Sequence, residues 1–457
     1  MSDTTEIIEG EKNQLTDRIV ALILDAVEGG DTAALEEILS PLHPADIADL
    51  LEQIDDRDRR ELLRLWSHSV DGEVLSELDE ALREDVIAAL SPDALAFAVR
   101  DLESDDVVDL VEDMESDRQE AVLDALEAPD RVAVETALSY PEDSAGRLMQ
   151  VEVVRAPVHW TVGETIDHLR SHDALPAQFY HVVLVDPRMK PEGYVALGRL
   201  LGAPRATKLT DLTEDSFRTF RFDQDEAEVA YAFNQYHLIS APVVDADDRL
   251  VGIITIDDAM AVLDEEHEED ILRLAGVGEG SLADRVVATT RRRLPWLAVN
   301  LVTAILASLV IALFEDVIAG LVALAVLMPI VASMGGNAGT QSLTVAVRAI
   351  ATKDLTGANV LRVIRREMLV GLINGLIFAV VMGLIGWAWF GQPLLGVVIA
   401  AAMVINLVVA GLAGTVVPIV LDRMGIDPAL ASGAFVTTVT DVVGFFAFLG
   451  LAALVLL

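Results

Sequence analysis

The 457 residues carry 74 Asp and Glu against 32 Lys and Arg, a net charge of −42, while 53% are hydrophobic and none is cysteine. Such length gives a prior of about three domains, and a chain at once apolar and heavily charged cannot be one uniform globule. Nucleic acid is excluded as a natural partner, because phosphate binding needs clustered Lys and Arg, and disulfides and thiolate metal sites are excluded outright.

The two properties are segregated along the chain. Residues 285–457 hold 10 Lys and Arg against 7 Asp and Glu, so residues 1–284 hold 22 against 67 and a net charge near −45. The opening MSDTTEIIEG has no basic stretch followed by an apolar run, so it is not a cleaved secretory signal, and the acidic half is expected in the cytosol. From 15 to 140, apolar positions recur at helical spacing, as in Leu42, Ile47, Leu50, Leu51 and Ile54, or Val107, Val108, Leu110, Val111 and Met114. PADIADLLEQI resembles SDDVVDLVEDM, and RRELLRLW resembles RQEAVLDAL, which predicts repeated helical hairpins stacked as a small superhelix.

From about Met149 the pattern changes to short β-branched runs alternating with helices, and it occurs twice. Each copy reads strand, helix, strand, turn, strand, helix, with Asp247, Asp248 and Arg249 in the second hairpin turn. This duplication resembles a tandem CBS module, LVGIITIDDA being its most specific piece. In nucleotide-binding members of that family a Thr-x-x-Asp holds ribose and phosphate, which the resemblance places at Thr255 and Asp258, with ATP as the implied ligand. The first copy has Ala196, Leu197, Gly198 and Arg199 there and lacks the motif, so a purely structural regulatory pair competes with a nucleotide site.

An acidic helix, DEEHEEDILRLAGV, follows and leads through a Gly-rich hinge to Arg291, Arg292 and Arg293 at the edge of an apolar run. Uncharged runs at 294–314, 317–347, 368–390, 394–421 and 428–457 each reach the roughly 20 residues that cross a bilayer, the last holding one acidic residue. Arg291 to Arg293, the loop with Arg348, Lys353, Arg362, Arg365 and Arg366, and the loop with Arg423 fall on one side, whereas the connectors 314–316 and 390–393 hold no Lys or Arg. Five spans with the N-terminus cytoplasmic and the C-terminus outside satisfy that distribution. The second run is too long for one straight span and holds Pro329, Gly335, Gly336, Asn337, Gly339 and Gln341, so a break or kink is expected there, with a small-residue helix contact as the alternative.

Asp441 lies near the middle of the last span, where an ionised carboxylate costs a few kcal/mol or more and faces a polar path or partner. Gly433, Thr437 and Asp441 share a helical face, and Asn406 and Asn337 are further polar groups at membrane depth and candidates to line a pore. One carboxylate with hydroxyls and carbonyls, and no His or Cys, suits a hard hydrated cation such as Mg²⁺, with calcium, manganese and cobalt left open.

Pro329 through GGNAGTQS resembles the signature of the MgtE magnesium-transporter family, and YPEDSAGRLM, EEDILRLAGV, DPALASG and VTTVTDVVG extend the likeness along the chain. The resemblance implies a homodimer in the cell membrane passing Mg²⁺ inward through a pore on the symmetry axis, with Asp441 holding the hydrated ion and Thr437 contributing one turn earlier. Some relatives carry Asn where this chain has Gly433, so a side-chain ligand at that level is in doubt. It also implies a cytosolic Mg²⁺ sensor using Asp258, Glu266, Glu269, Asp270 and, at the membrane side, Asp427. Two copies of a −45 domain repel unless cations sit between them, which supplies a physical reason.

The expected architecture is multidomain. It comprises an all-α superhelical N-domain over 1–145, an α/β tandem CBS pair over 146–263, a connecting helix over 264–290 and an all-α five-helix transmembrane domain over 291–457. The expected function is a Mg²⁺-gated channel and not an enzyme. The rivals are a coupled divalent-cation carrier and a membrane-anchored CBS sensor.

Overall fold

A computed structural model describes residues 15–456 apart from 67–69, 113, 115, 172–174, 177, 276 and 278–285, so the opening MSDTTEIIEG and most of the Gly-rich hinge lie outside the described residues. The chain divides into two compact units, Met1–Glu266 and His267–Leu457.

In the first unit, ten described helices run from α1 (Asp17–Gly29) to α10 (Ala128–Ala137). Their apolar faces merge into one core that includes Ile23, Leu35, Leu50, Leu62, Val74, Val86, Val107 and Val111. Each helix touches those one to three places along the chain, as expected of stacked hairpins. Short polar residues start them: the Thr16 hydroxyl accepts from Ile19 N–H, the Asp31 carboxylate from Ala34 N–H and the Ser91 hydroxyl from Ala94 N–H. The repeats fall on the pairs α3 (Pro44–Gln53) with α4 (Asp56–Trp66) and α8 (Ser104–Glu112) with α9 (Ser116–Ala125). Helix ends expose unpaired carbonyls, and buried arginines satisfy several of them. Arg59 donates to Leu51 O at 2.6 Å and Ile54 O at 3.0 Å, and Arg83 donates to Ser76 O, Leu78 O and Asp109 O.

The second half of this unit opens with α11 (Ala145–Leu148) and then shows the predicted duplication. The first copy is β1 (Arg155–Pro157), α12 (Val162–Ser171), β2 (His181–Val185), β3 (Pro191–Ala196) and α13 (Leu197–Gly202). The second is β4 (Phe220–Arg221), α14 (Glu226–Tyr236), β5 (Ser240–Val244), β6 (Leu250–Thr255) and α15 (Ile256–Leu274). In both sheets the first strand pairs parallel to the second and the second antiparallel to the third. The hairpin turns repeat as well. Asp186 accepts from Arg188 N–H and Lys190 N–H, and Asp245 accepts from Asp247 N–H and Arg249 N–H. Met189 and Asp248 take matching left-handed φ values of 66° and 61°. His181 and Ser240, which open β2 and β5, share a buried hydrogen bond of 2.7 Å, so the copies meet at equivalent positions.

The second unit holds α16 (Val286–Ala312), α17 (Glu315–Gly320), α18 (Ala323–Ala351), α19 (Val360–Phe390), α20 (Pro393–Arg423) and α21 (Pro428–Val455). Among the described residues five helices are long and apolar enough to cross a membrane: Thr289–Ala312, Ala323–Ala351, Val360–Phe390, Pro393–Arg423 and Ser432–Val455. Helix α20 is central and packs on α18, α19 and α21. Glycines let the backbones meet. A Cβ added at Gly411 would lie 2.6 Å from the Glu367 carbonyl oxygen, and one at Gly396 would lie 2.5 Å from the Gly383 carbonyl oxygen.

The expected break between Pro329 and Gln341 is not there. Helix α18 runs unbroken through that segment, and the long apolar run is divided earlier, at Leu321 (φ −144°, ψ 88°), after the short α17. The glycines explain why. Gly335 and Gly339 are buried against side chains of α20 and α21, so their missing Cβ atoms serve close packing, and the helix continues although Pro329 removes one donor.

Candidate functional site

Helical periodicity sorts α18 into two faces. Val331, Gly335, Gly339, Ser342, Leu343, Ala346 and Val347 are buried, whereas Ser333, Asn337, Thr340, Gln341, Thr344 and Arg348 are exposed. From Ser333 to Arg348 the exposed face is therefore polar apart from Val345, whereas Val326 and Pro329 are exposed before it. Hydrocarbon offers such groups no partners, so this face requires water or protein against it. Thr340 and Thr344 turn their hydroxyl protons inward, to Gly336 O and Thr340 O at 3.0 Å each, which leaves oxygen lone pairs outward.

Helix α21 supplies the carboxylate. Gly433, Thr437 and Asp441 are each partly exposed on it, and the Thr437 hydroxyl donates to Gly433 O at 2.9 Å, again leaving lone pairs free. Asp441 makes no hydrogen bond or ion pair with any described residue. A carboxylate and outward hydroxyl oxygens are acceptors for the protons of metal-bound water, and no cationic side chain competes for them.

The two asparagines separate. Asn337 stands on the exposed polar face, whereas Asn406 is wholly buried among α18, α20 and α21, donating from Nδ2 to Val331 O at 2.8 Å, and so does not line that face. Sequence reasoning passed over Thr340 and Thr344, whose spacing from Asn337 and Gln341 was the available signal. It also passed over Glu367, a buried carboxylate of α19 that accepts from Ser342 Oγ of α18 at 2.9 Å.

The proposed sensor residues fall into two groups. Asp258 begins α15 and accepts from the Thr255 N–H (3.3 Å) and hydroxyl (2.5 Å), so the two residues of the Thr-x-x-Asp motif are bonded to each other. Asp258 also sits among Glu103, Asp105, Asp106 and Asp257, the first three from the start of α8. Burial, followed by the charge of Asp258, pushes the Asp106 carboxyl up to about 7 and Asp105 well above the usual carboxylate range. Burial lifts Asp258 too, against the Thr255 hydrogen bond, which lowers it. A parallel crowding occurs at Glu226, pushed up to about 8 by burial and then by Asp143, Glu112 and Glu265. Burial and neighbouring negative charge hold these carboxyls up, and a divalent ion would relieve them.

The second group lies at the far end of α15. Arg273 pairs with Glu269 at 2.5 Å and with Asp427 at 3.5 Å, and Asp427 caps α21 by accepting from Ala429 N–H at 2.7 Å. Burial and then the charge of Asp427 raise the Asp270 carboxyl, opposed by Arg273. Leu274 packs on Leu343, Val347, Ala429 and Val436, so the end of α15 rests on the same two helices that carry the polar face and Asp441. Glu266 lies on α15 between Asp258 and Glu269. Among the described residues, no three His, Asp or Glu side chains are arranged to hold a metal ion within one chain.

Family models match three stretches: a divalent cation transporter model named MgtE over residues 328–451, an MgtE intracellular N domain model over 42–143 and a CBS domain model over 210–265. The chain is 33% identical to a protein named magnesium transporter MgtE from Thermus thermophilus, over 97% of this chain and 99% of that one. It is 28% identical to its namesake from Bacillus subtilis, over 96% and 98%. A solved structure described as the cytosolic domain of the Mg²⁺ channel MgtE in complex with ATP is 30% identical, covers 53% of this chain and 99% of that one, and superposes with a TM-score of 0.49.

Proposed function

Because the chain belongs to the MgtE family of magnesium transporters, we propose that it is a Mg²⁺-selective channel whose pore runs between two copies of α18 and α21 and which cytosolic Mg²⁺ closes. It is a multi-pass membrane protein and not an enzyme. The observation that carries the channel reading is the polar face of α18 beside Asp441, a carboxylate without a partner at membrane depth. A second copy related by a two-fold axis would turn these faces toward each other, enclose water and put two Asp441 carboxylates around one hydrated ion. Mg²⁺ dehydrates reluctantly and is held through its waters by one or two carboxylates. With α16 entered from the cytosol, the basic loops lie inside and the C-terminus outside.

Regulation in this reading belongs to residues 1–145 and 146–263, with 264–290 connecting them to the pore domain at 291–457. Divalent cations at Asp258, Asp105 and Asp106, and at Glu269, Asp270 and Asp427 with Glu266 nearby in sequence, would neutralise crowded carboxylates and favour a compact, closed dimer. An ATP molecule at Thr255 and Asp258 would have to break their mutual hydrogen bond and add negative charge beside Asp105 and Asp106. We therefore place a cation there, with a nucleotide entering only as its metal complex.

The test is Mg²⁺ flux into proteoliposomes. Asp441→Ala should abolish flux while the dimer survives, and removing residues 1–270 should leave flux that cytosolic-side Mg²⁺ no longer inhibits. Undiminished flux through Asp441→Ala removes the residue from the path. Flux that requires an imposed Na⁺ or H⁺ gradient makes the protein a coupled carrier.

A further inference from the structure

Asn406 is a wholly buried polar side chain in the membrane unit that the ion path does not use. Its Nδ2 donates to Val331 O of α18 at 2.8 Å, while its Oδ1 has no partner among the described residues. An amide with one acceptor unpaired by protein in a buried helix contact is costly, so its position needs a reason. The neighbours supply one. The amide lies between the backbones of Gly335 on α18 and Gly444 on α21, where a Cβ added at Gly444 would sit 2.7 Å from Nδ2 and 3.0 Å from Cγ. Gly335 comes two residues before Asn337 on the polar face, and Gly444 comes three residues after Asp441, within one helical turn.

The amide of α20 therefore occupies the gap between the two helices that carry the polar groups, at the level of the lone carboxylate. From this geometry we infer that Asn406 is a positioning residue that sets the spacing of α18 and α21 beside Asp441 and thereby tunes the discrimination between Mg²⁺ and larger divalent cations. The hydrogen bond to Val331 O fixes the amide to α18. The two glycines leave room for it on either side. Hydrated Mg²⁺ and Ca²⁺ differ in size and in the rigidity of their water shells, so a change in this spacing acts on the two ions unequally. This rests on the pore reading above.

The experiment uses the full chain in proteoliposomes and measures the Mg²⁺ half-saturation, the maximal flux and the Mg²⁺ to Ca²⁺ flux ratio, with size-exclusion and thermal midpoints reporting folding. Asn406→Ala removes the spacer and Gly444→Ala crowds it. Each is expected to change the flux ratio at least threefold, and the double variant, whose added methyl finds the vacated space, is expected to return it to within twofold of the parent. Two results overturn the inference: single variants that lower maximal flux only in proportion to folded protein, with ratio and half-saturation unchanged, or a double variant in which the two effects multiply. If Asn406→Ala does not fold, recovery of folding and ratio in the double variant supports the inference and continued misfolding refutes it. Failure of the pore reading is separate and shows as flux through Asp441→Ala.

Discussion

The crowding of carboxylates around Asp258 makes a quantitative prediction about stability. The Asp106 carboxyl, raised from 3.8 to about 7 in the folded chain, titrates about three units above its unfolded value. At about 1.4 kcal/mol per unit this corresponds to roughly 4 kcal/mol. The sign follows from where the proton sits. Below 3.8 the group is protonated in both states and contributes no difference. Between 3.8 and about 7 the folded state keeps a proton that the unfolded state has lost, so stability falls as pH rises, and the full penalty is present above about 7. The perturbation is Asp106→Asn. The assay is denaturant unfolding of the cytosolic unit, followed through Trp66 and Trp160, near pH 5 and near pH 8.5, in chelator and in excess Mg²⁺. In chelator the parent should be less stable at the higher pH, and the variant should regain roughly 4 kcal/mol there but less than about 2 kcal/mol near pH 5, where the penalty is only partly developed. Mg²⁺ should stabilise the parent mainly at the higher pH and the variant less. A variant with the pH and Mg²⁺ dependence of the parent would refute the argument that these carboxylates are held against their own charge and await a cation.

Three further outcomes follow from the membrane unit and the helix that enters it. Glu367→Leu removes the acceptor of the buried Ser342 hydroxyl and should lower stability in detergent by about 1–3 kcal/mol, whereas Glu367→Gln, which keeps an acceptor, should cost less; equal midpoints for the two would show that the contact between α18 and α19 does not depend on it. Arg273→Ala frees Glu269 and Asp427 from the guanidinium they share, so inhibition of flux should need severalfold less cytosolic Mg²⁺; an unchanged inhibition curve would remove this end of α15 from the sensor. His267→Pro interrupts the interior of α15, where proline costs about 3 kcal/mol or more; flux should persist with its Mg²⁺ inhibition lost, and inhibition at the parental concentration would show that α15 does not transmit the signal.

The elements were legible where one periodicity dominates. The repeats around Ile47 and Val107, the doubled strands around Val183 and Val243 and the apolar spans all declare themselves through local pattern, and the structure reproduces each. The segment from Pro329 to Gln341 misled because proline and glycine have two meanings. In isolation they weaken a helix, but where another backbone approaches, the absent Cβ of Gly335 or Gly339 is what allows contact, and only the neighbours in space decide between the two. The same limit applies to the polar residues. Asn337 and Asn406 are equivalent in composition and depth along the chain, yet one lies on an open face and the other in a three-helix contact, because the phase of α20 relative to its neighbours is set by packing from both sides. Asp258 was legible as a motif member, but its neighbours Asp105 and Asp106 come from 150 residues away and could not be read from spacing.

Helix α15 gives the regulatory proposal its mechanical content. It runs unbroken from Ile256 to Leu274, with Asp258 in the acidic crowd at its start and Arg273 and Leu274 at its end. Fifteen residues of α-helix between Asp258 and Arg273 span about 22 Å, and a helix of that length transmits displacement as a strut rather than absorbing it. In the proposed regulation, carboxylates that repel when cations are absent and close up when they are present would generate such a displacement at one end. At the other end Leu274 packs against the cluster that Leu343 and Val347 of α18 form with Ala429 and Val436 of α21, and Val436 stands one residue before Thr437. On the proposed gating, a shift there would move the helices that carry the polar face and Asp441, so neutralising charge around Asp258 would alter the width of the path without any ligand reaching it.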